Sequence, residues 1–78
     1  MPKIYTDNAI AVRIREQRLK RGWTQKELAD KTCITSYLVC LYERGTRIPS
    51  FQTLSRVAQS LGVSVEYLTG DTDDERVS

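Results

Sequence analysis

The 78-residue chain has no histidine and only two cysteines, Cys33 and Cys40. Histidine is the side chain most often used for proton transfer near neutral pH, so its absence removes the commonest general acid or base. Two thiols without an imidazole are too few donors for a zinc site within one chain, and no metal is expected. Nor do the cysteines form a disulfide framework. A helical stretch separates them, which puts their Cα atoms on the order of 10 Å apart, beyond bridging reach. They are expected as reduced thiols serving as small packing residues. No apolar run approaches the roughly 18 residues of a membrane helix, and Met1 to Asp7 is too short and polar for a secretory leader. The expectation is a cytoplasmic protein without membrane contact. There is no glycine-rich phosphate loop and no carboxylate pair in an acid–base setting, so neither an enzyme nor a cofactor is expected.

The length allows one domain with a core barely large enough to fold alone, which suits a helical arrangement rich in local contacts. Twelve basic against ten acidic residues leave a net charge of only +2. Their distribution is uneven. Residues 1–26 carry Lys3, Arg13, Arg15, Arg18, Lys20, Arg21 and Lys26 against Asp7 and Glu16, whereas residues 62–78 hold Arg76 against Glu66, Asp71, Asp73, Asp74 and Glu75. A basic front and an acidic end suit a protein whose first two-thirds touch a polyanion while the tail stays clear.

Five helices are predicted. The first runs from about Asn8 to Arg21, capped by Asp7 or Asn8 and stopped by Gly22, with Ile10, Ile14 and Leu19 inward and Arg18 on or beside that face. The second spans Gln25 to Lys31 and the third Ser36 to Arg44, with Thr35 as N-cap and Gly45 as stop. Pro49 keeps residues 46–49 out of regular helix. A fourth starts near Ser50, with Phe51, Leu54, Val57, Ala58 and Leu61 at three- and four-residue spacing, and ends at Gly62. Ser64 caps a last short helix over Val65 to Thr69. The domain is thus residues 8–70, between an N-terminal arm (1–7) and a flexible acidic tail (71–78).

The stretch from Gln25 to Arg44 carries the function. Thr24 with Glu27 three residues on makes a capping box. Leu28, Ala29 and Thr32 face Ile34, Val39 and Tyr42, and Ala29 is small enough for two steeply crossed helices to approach. Two short helices locked in this way form the unit that presents its second helix to a DNA major groove.

Arg18, Trp23-Thr24-Gln25, Glu27-Leu28-Ala29, Glu43-Arg44-Gly45, Pro49-Ser50 and Leu54 stand in an order and spacing that resembles the lambda-repressor-like, Xre-type helix-turn-helix family. The run from Ala58 to Ser64 and Tyr67-Leu68 extend the resemblance, which covers about residues 8–70. It implies an all-α, compact five-helix domain that binds a double-stranded DNA operator, usually as a symmetric homodimer. It implies base contacts from Ser36, Tyr37, Cys40 and Leu41, a phosphate grip by Gln25, and a buried pair between Arg18 and Glu43. Elementary electrostatics agrees on the pair, since an arginine on a core-facing stripe needs a partner. Thr35, Arg44 and Arg47 join Gln25 as expected phosphate contacts. With no separate oligomerisation domain in view, the dimer contact is expected near the fourth and fifth helices, at Val63, Val65 and Tyr67.

Two departures from the family pattern stand out. Cys33 occupies a turn position where many relatives have glycine, a residue tolerant of positive φ. The outward face of the third helix has none of the Arg, Lys, Asn or Gln side chains that read purine edges in pairs, unless Arg44 or Arg47 supplies one. Apolar contact and DNA shape are therefore expected to dominate. The function expected is a sequence-specific transcriptional regulator binding a palindromic operator, a repressor or controller of phage, mobile-element or restriction–modification type. The alternatives are an antitoxin that represses its own operon, or a protein-interaction module that docks the Tyr37–Leu41 patch on a protein partner.

Overall fold

The structure, a computed structural model, describes residues 7–77, with side chains from residue 9 onward. Residues 1–6 of the expected N-terminal arm lie outside the described residues. Five helices follow in order: α1 (Asp7–Lys20), α2 (Gln25–Thr32), α3 (Ser36–Arg44), α4 (Phe51–Leu61) and α5 (Val65–Thr69). Among the described residues, α2 to α5 each begin on a side-chain cap, because the first N–H groups of a helix have no partner within it. Thr24, Thr35, Ser50 and Ser64 accept from the N–H three residues on, and Thr24 completes a full capping box with Glu27. The first helix starts at Asp7, so Asp7 and Asn8 fall inside it rather than capping it.

The core is one cluster in which Ile14, Leu28, Val39, Val57, Leu61 and Leu68 are all but sealed from solvent. Each such aliphatic side chain contributes about 1.5–3 kcal/mol by leaving water. The α2 helix packs on α3 and α4, while α1 spans α3 and α5, which closes the cluster. Ala29 is 2% exposed at the α2–α3 crossing. Thr32 can be buried beside it because its hydroxyl donates to the Leu28 carbonyl at 2.8 Å.

Two predicted core positions are corrected. Leu19 is 54% exposed, and the inner face of α1 is Ile10, Ala11, Ile14, Gln17 and Arg18. Leu19 lies five residues beyond Ile14, about 140° around the helix, so it cannot share that face. Phe51 keeps the spacing of its helix yet is 74% exposed, because it is the first residue of α4, where the helix leaves the core.

The turn between α2 and α3 is left-handed at Cys33 (φ 61°), a positive φ on a residue with a side chain. Its N–H and that of Ile34 both return to the Ala29 carbonyl side of α2, ending the helix sharply. A similar left-handed turn ends α5 at Gly70, where an added Cβ would stand 3.0 Å from the Ala9 Cβ of α1. Glycine there serves both the backbone turn and the close approach of two helices.

Residues 71–77 form no helix, yet where a flexible tail is expected they carry hydrogen bonds back to α1 and to the start of α5. The Ser64 N–H donates to the Glu75 carbonyl at 2.9 Å. The Arg13 guanidinium donates to the carbonyls of Tyr67 (2.7 Å) and Thr72 (2.6 Å) and to the Asp73 carboxylate (2.7 Å), and lies over the Tyr67 ring. Lys20 and Glu75 add a surface pair at 3.6 Å. One cation of α1 thereby holds both the last turn of α5 and the segment that follows it.

Candidate nucleic-acid interface

The centre of the helix-turn-helix is a hydrogen-bonded ion pair. Arg18 donates through Nε to Glu43 Oε2 at 2.6 Å and through Nη2 to Oε1 at 2.9 Å, with 9% and 3% of the two side chains exposed. Its remaining terminal nitrogen donates to the Trp23 carbonyl at 2.7 Å. One guanidinium thereby ties α1 to the end of α3 and to the segment that leads into α2. The hydrogen-bonded carboxylate raises the arginine pKa further above its ordinary value, against a smaller opposing effect of burial. The expected buried pair is thus present, with bidentate geometry.

Gln25 joins the same network. Its side-chain N–H donates to Glu43 Oε1 at 3.2 Å, a contact not anticipated from the sequence. The amide keeps one further N–H and its carbonyl oxygen for a partner outside the domain. Thr35 is exposed, and its hydroxyl oxygen caps α3 by accepting from the Leu38 N–H at 3.1 Å. The O–H proton stays free to donate outward.

Along α3, the buried side is Val39 and Tyr42, and Leu38 is partly buried against the core. Ser36 and Tyr37 stand on the opposite side, Tyr37 with 69% of its surface exposed. Cys40 and Leu41 continue that face half-buried, and the exposed Arg44 ends it. Arg47 is exposed in the following loop. The structure therefore gathers Thr35, Ser36, Tyr37, Cys40, Leu41 and Arg44 on one outward strip, with Gln25 anchored beside its base. Both cysteines are free thiols, Cys33 exposed and Cys40 half-buried.

The expected dimer residues are corrected. Val63 is 2% and Tyr67 7% exposed, so both belong to the core of this chain and their side chains cannot meet a partner. Tyr67 is further held by Gln17, whose side-chain N–H donates to the phenol oxygen at 3.3 Å. Only Val65 is partly open. Beside it, Phe51 and the 66%-exposed Val77 flank a shallow groove between α4 and α5.

Residues 14–68 match the family Helix-turn-helix. The chain belongs to that family, of the lambda-repressor-like, Xre type. It is 39% identical over 62 residues to the HTH-type transcriptional regulator ImmR of Bacillus subtilis (strain 168), covering 80% of this chain and 49% of that protein. The chain spans about half the length of the curated relatives it matches, 49%, 55% and 43% of three of them. Among solved structures, SinR, a master regulator for biofilm formation crystallised in complex with DNA, is 35% identical with a TM-score of 0.72. That likeness covers 76% of this chain and 95% of the SinR chain. The restriction-modification controller protein C.AhdI from Aeromonas hydrophila is 27% identical with a TM-score of 0.74, covering 80% and 90%. The family is one of DNA-binding transcription regulators rather than enzymes. No helix among the described residues is long and apolar enough to cross a membrane.

The family resemblance pointed to Arg18 and Glu43, and the geometry joins them. Arg13 is the residue that sequence reasoning missed, since an arginine on a helix surface is ordinarily just solvated. Trp23 is a second case. Lys31 lies 4.7 Å and Arg21 6.0 Å from its ring, so two cations bracket the entrance to α2. No pattern in the linear sequence signals either arrangement.

Proposed function

We propose that this chain is a sequence-specific DNA-binding transcriptional regulator of repressor or controller type, reading a palindromic operator as a homodimer. The observation that carries this reading is the outward strip of α3, held at a fixed angle by the Arg18–Glu43–Gln25 network within a helix-turn-helix of known family. In this arrangement α3 lies in the major groove with its N-terminal residues toward the bases. Ser36, Tyr37, Cys40 and Leu41 meet base edges. Gln25, Thr35, Arg44 and Arg47 hold phosphates on either side, where their contacts fix register without reading sequence.

A single half-site offers limited area, so two copies are needed on sites about 10 bp apart. Their contact is best supported at Phe51, Val65 and Val77, the apolar side chains left open between α4 and α5. An interface of that extent makes a weak dimer that DNA completes.

Selection from random duplexes by gel shift tests the reading. Enrichment of a palindrome with half-sites one helical turn apart is expected. Recovery of no enriched duplex would overturn it, and a bound species containing one copy of the chain would overturn the dimer.

A further inference from the structure

We infer that the outward face of α3 recognises the C5-methyl groups of pyrimidines in the major groove. The inference rests on the DNA reading proposed above and names what that site would read. Its basis is the inventory of side chains at the leading end of the helix. Ser36 has one short hydroxyl, Tyr37 presents a ring in solvent, and Cys40 and Leu41 present a thiol and methyl groups. None of these pairs with two atoms of a guanine or adenine edge, which is how Arg, Asn and Gln discriminate.

The longer polar side chains nearby are placed for other work. Gln25 commits one side-chain N–H to Glu43. Arg44 is the last residue of α3, on the order of 12 Å along the helix axis from Ser36. Arg47 lies beyond it in the loop. Both cations therefore flank the far end of the strip, where they complement phosphate charge. What remains toward the bases is short hydroxyls, a phenol ring and apolar surface, and the only apolar feature that an unmodified base pair shows in the major groove is the thymine methyl. A buried methyl changes affinity about fourfold, less than a bidentate purine contact does. Specificity is then assembled from several small steps, with thymine favoured at the contacted positions. Two bases can carry the methyl, thymine and 5-methylcytosine.

The test uses the full chain and the duplex recovered by selection. Each thymine of a half-site is replaced in turn by deoxyuridine, which deletes the methyl and leaves every hydrogen-bonding group in place. We expect about a fourfold loss of affinity at one or more positions per half-site, and none at positions outside the half-sites. With Tyr37→Ala or Leu41→Ala, each checked for folding by its thermal melt, the loss at the position that side chain covers should vanish. At the same positions, 5-methylcytosine in place of cytosine should recover about fourfold; no recovery would overturn the extension to methylated cytosine.

Tight, selective binding that is indifferent to deoxyuridine everywhere would overturn the inference and leave the DNA reading intact. A deoxyuridine effect that persists in both variants would also overturn it, since the methyl would then act through duplex shape. If no duplex is enriched, or if the face binds a protein instead, the DNA reading and this inference fall together.

Discussion

Glu43 does more than one residue's share of the packing. Its carboxylate receives two N–H groups from Arg18 and one from Gln25, so removing it leaves a buried guanidinium with only the Trp23 carbonyl. Breaking such a pair costs about 3–5 kcal/mol. At roughly 4–8 °C per kcal/mol for a domain of this size, Glu43→Ala should lower the melting temperature by about 12 °C or more. An unchanged melt would show that the pair contributes nothing to folding. Because the folded pKa of Arg18 is raised, its share of the stability is complete below the ordinary arginine value and is lost only as pH rises through the folded one. That loss lies above the working pH range, so Arg18 gives no acid-side dependence. At Cys33 the cost runs the other way. A side chain held at φ 61° is strained by about 1–2 kcal/mol relative to glycine. Cys33→Gly should therefore raise the melting temperature by several degrees, whereas Cys33→Ala, strained alike, should leave it nearly unchanged.

Among the elements, α5 is the one that depends most on a distant side chain. It is five residues long, too short to persist alone, and Arg13 from α1 supplies donors to its Tyr67 carbonyl and to Thr72 just past it. Within the tail, the Arg76 side chain and then its backbone N–H hold the Asp74 carboxyl below its ordinary pKa, a local contact in open solvent. Arg13→Ala should cost about 1.5–3 kcal/mol, the range for hydrogen bonds to a charged donor. It should also speed amide exchange in residues 64–75 more than in α2 or α3. Uniform acceleration across all helices would mean that Arg13 acts on the whole core rather than as a clamp on α5. The acidic end owes its place to this clamp, and for that reason part of the basic surface of α1 is already neutralised from within.

For the whole molecule, net charge is a poor guide to affinity, because the charges that matter are the few beside the reading strip. If Arg44 and Arg47 of two copies each displace one counterion, the slope of log affinity against log salt is about −4. Raising salt from 50 to 200 mM should then weaken operator binding by about two orders of magnitude, by fluorescence anisotropy at matched protein concentrations. A slope near zero would favour an apolar protein contact through Tyr37 and Leu41. Arg47→Ala should reduce the slope by about 2 in the dimer while leaving the preferred duplex sequence unchanged.

The five helices, the caps Thr24, Thr35 and Ser64, and the helix-turn-helix were legible in the linear sequence because each rests on neighbours within four residues. Thr24 with Glu27, the glycine stops and the spacing of Leu28, Ala29, Val39 and Tyr42 are local facts. The outward placing of Ser36 and Tyr37 was implied by the family resemblance, and the exposure of both side chains agrees with it. Tertiary structure alone decided what depends on two distant segments meeting. It put Val63 and Tyr67 inside the core rather than on a dimer face, brought Gln25 to Glu43, and folded the acidic tail onto Arg13. Helical spacing determines which residues share a face, whereas the partner of that face is set by how the helices close around one small core.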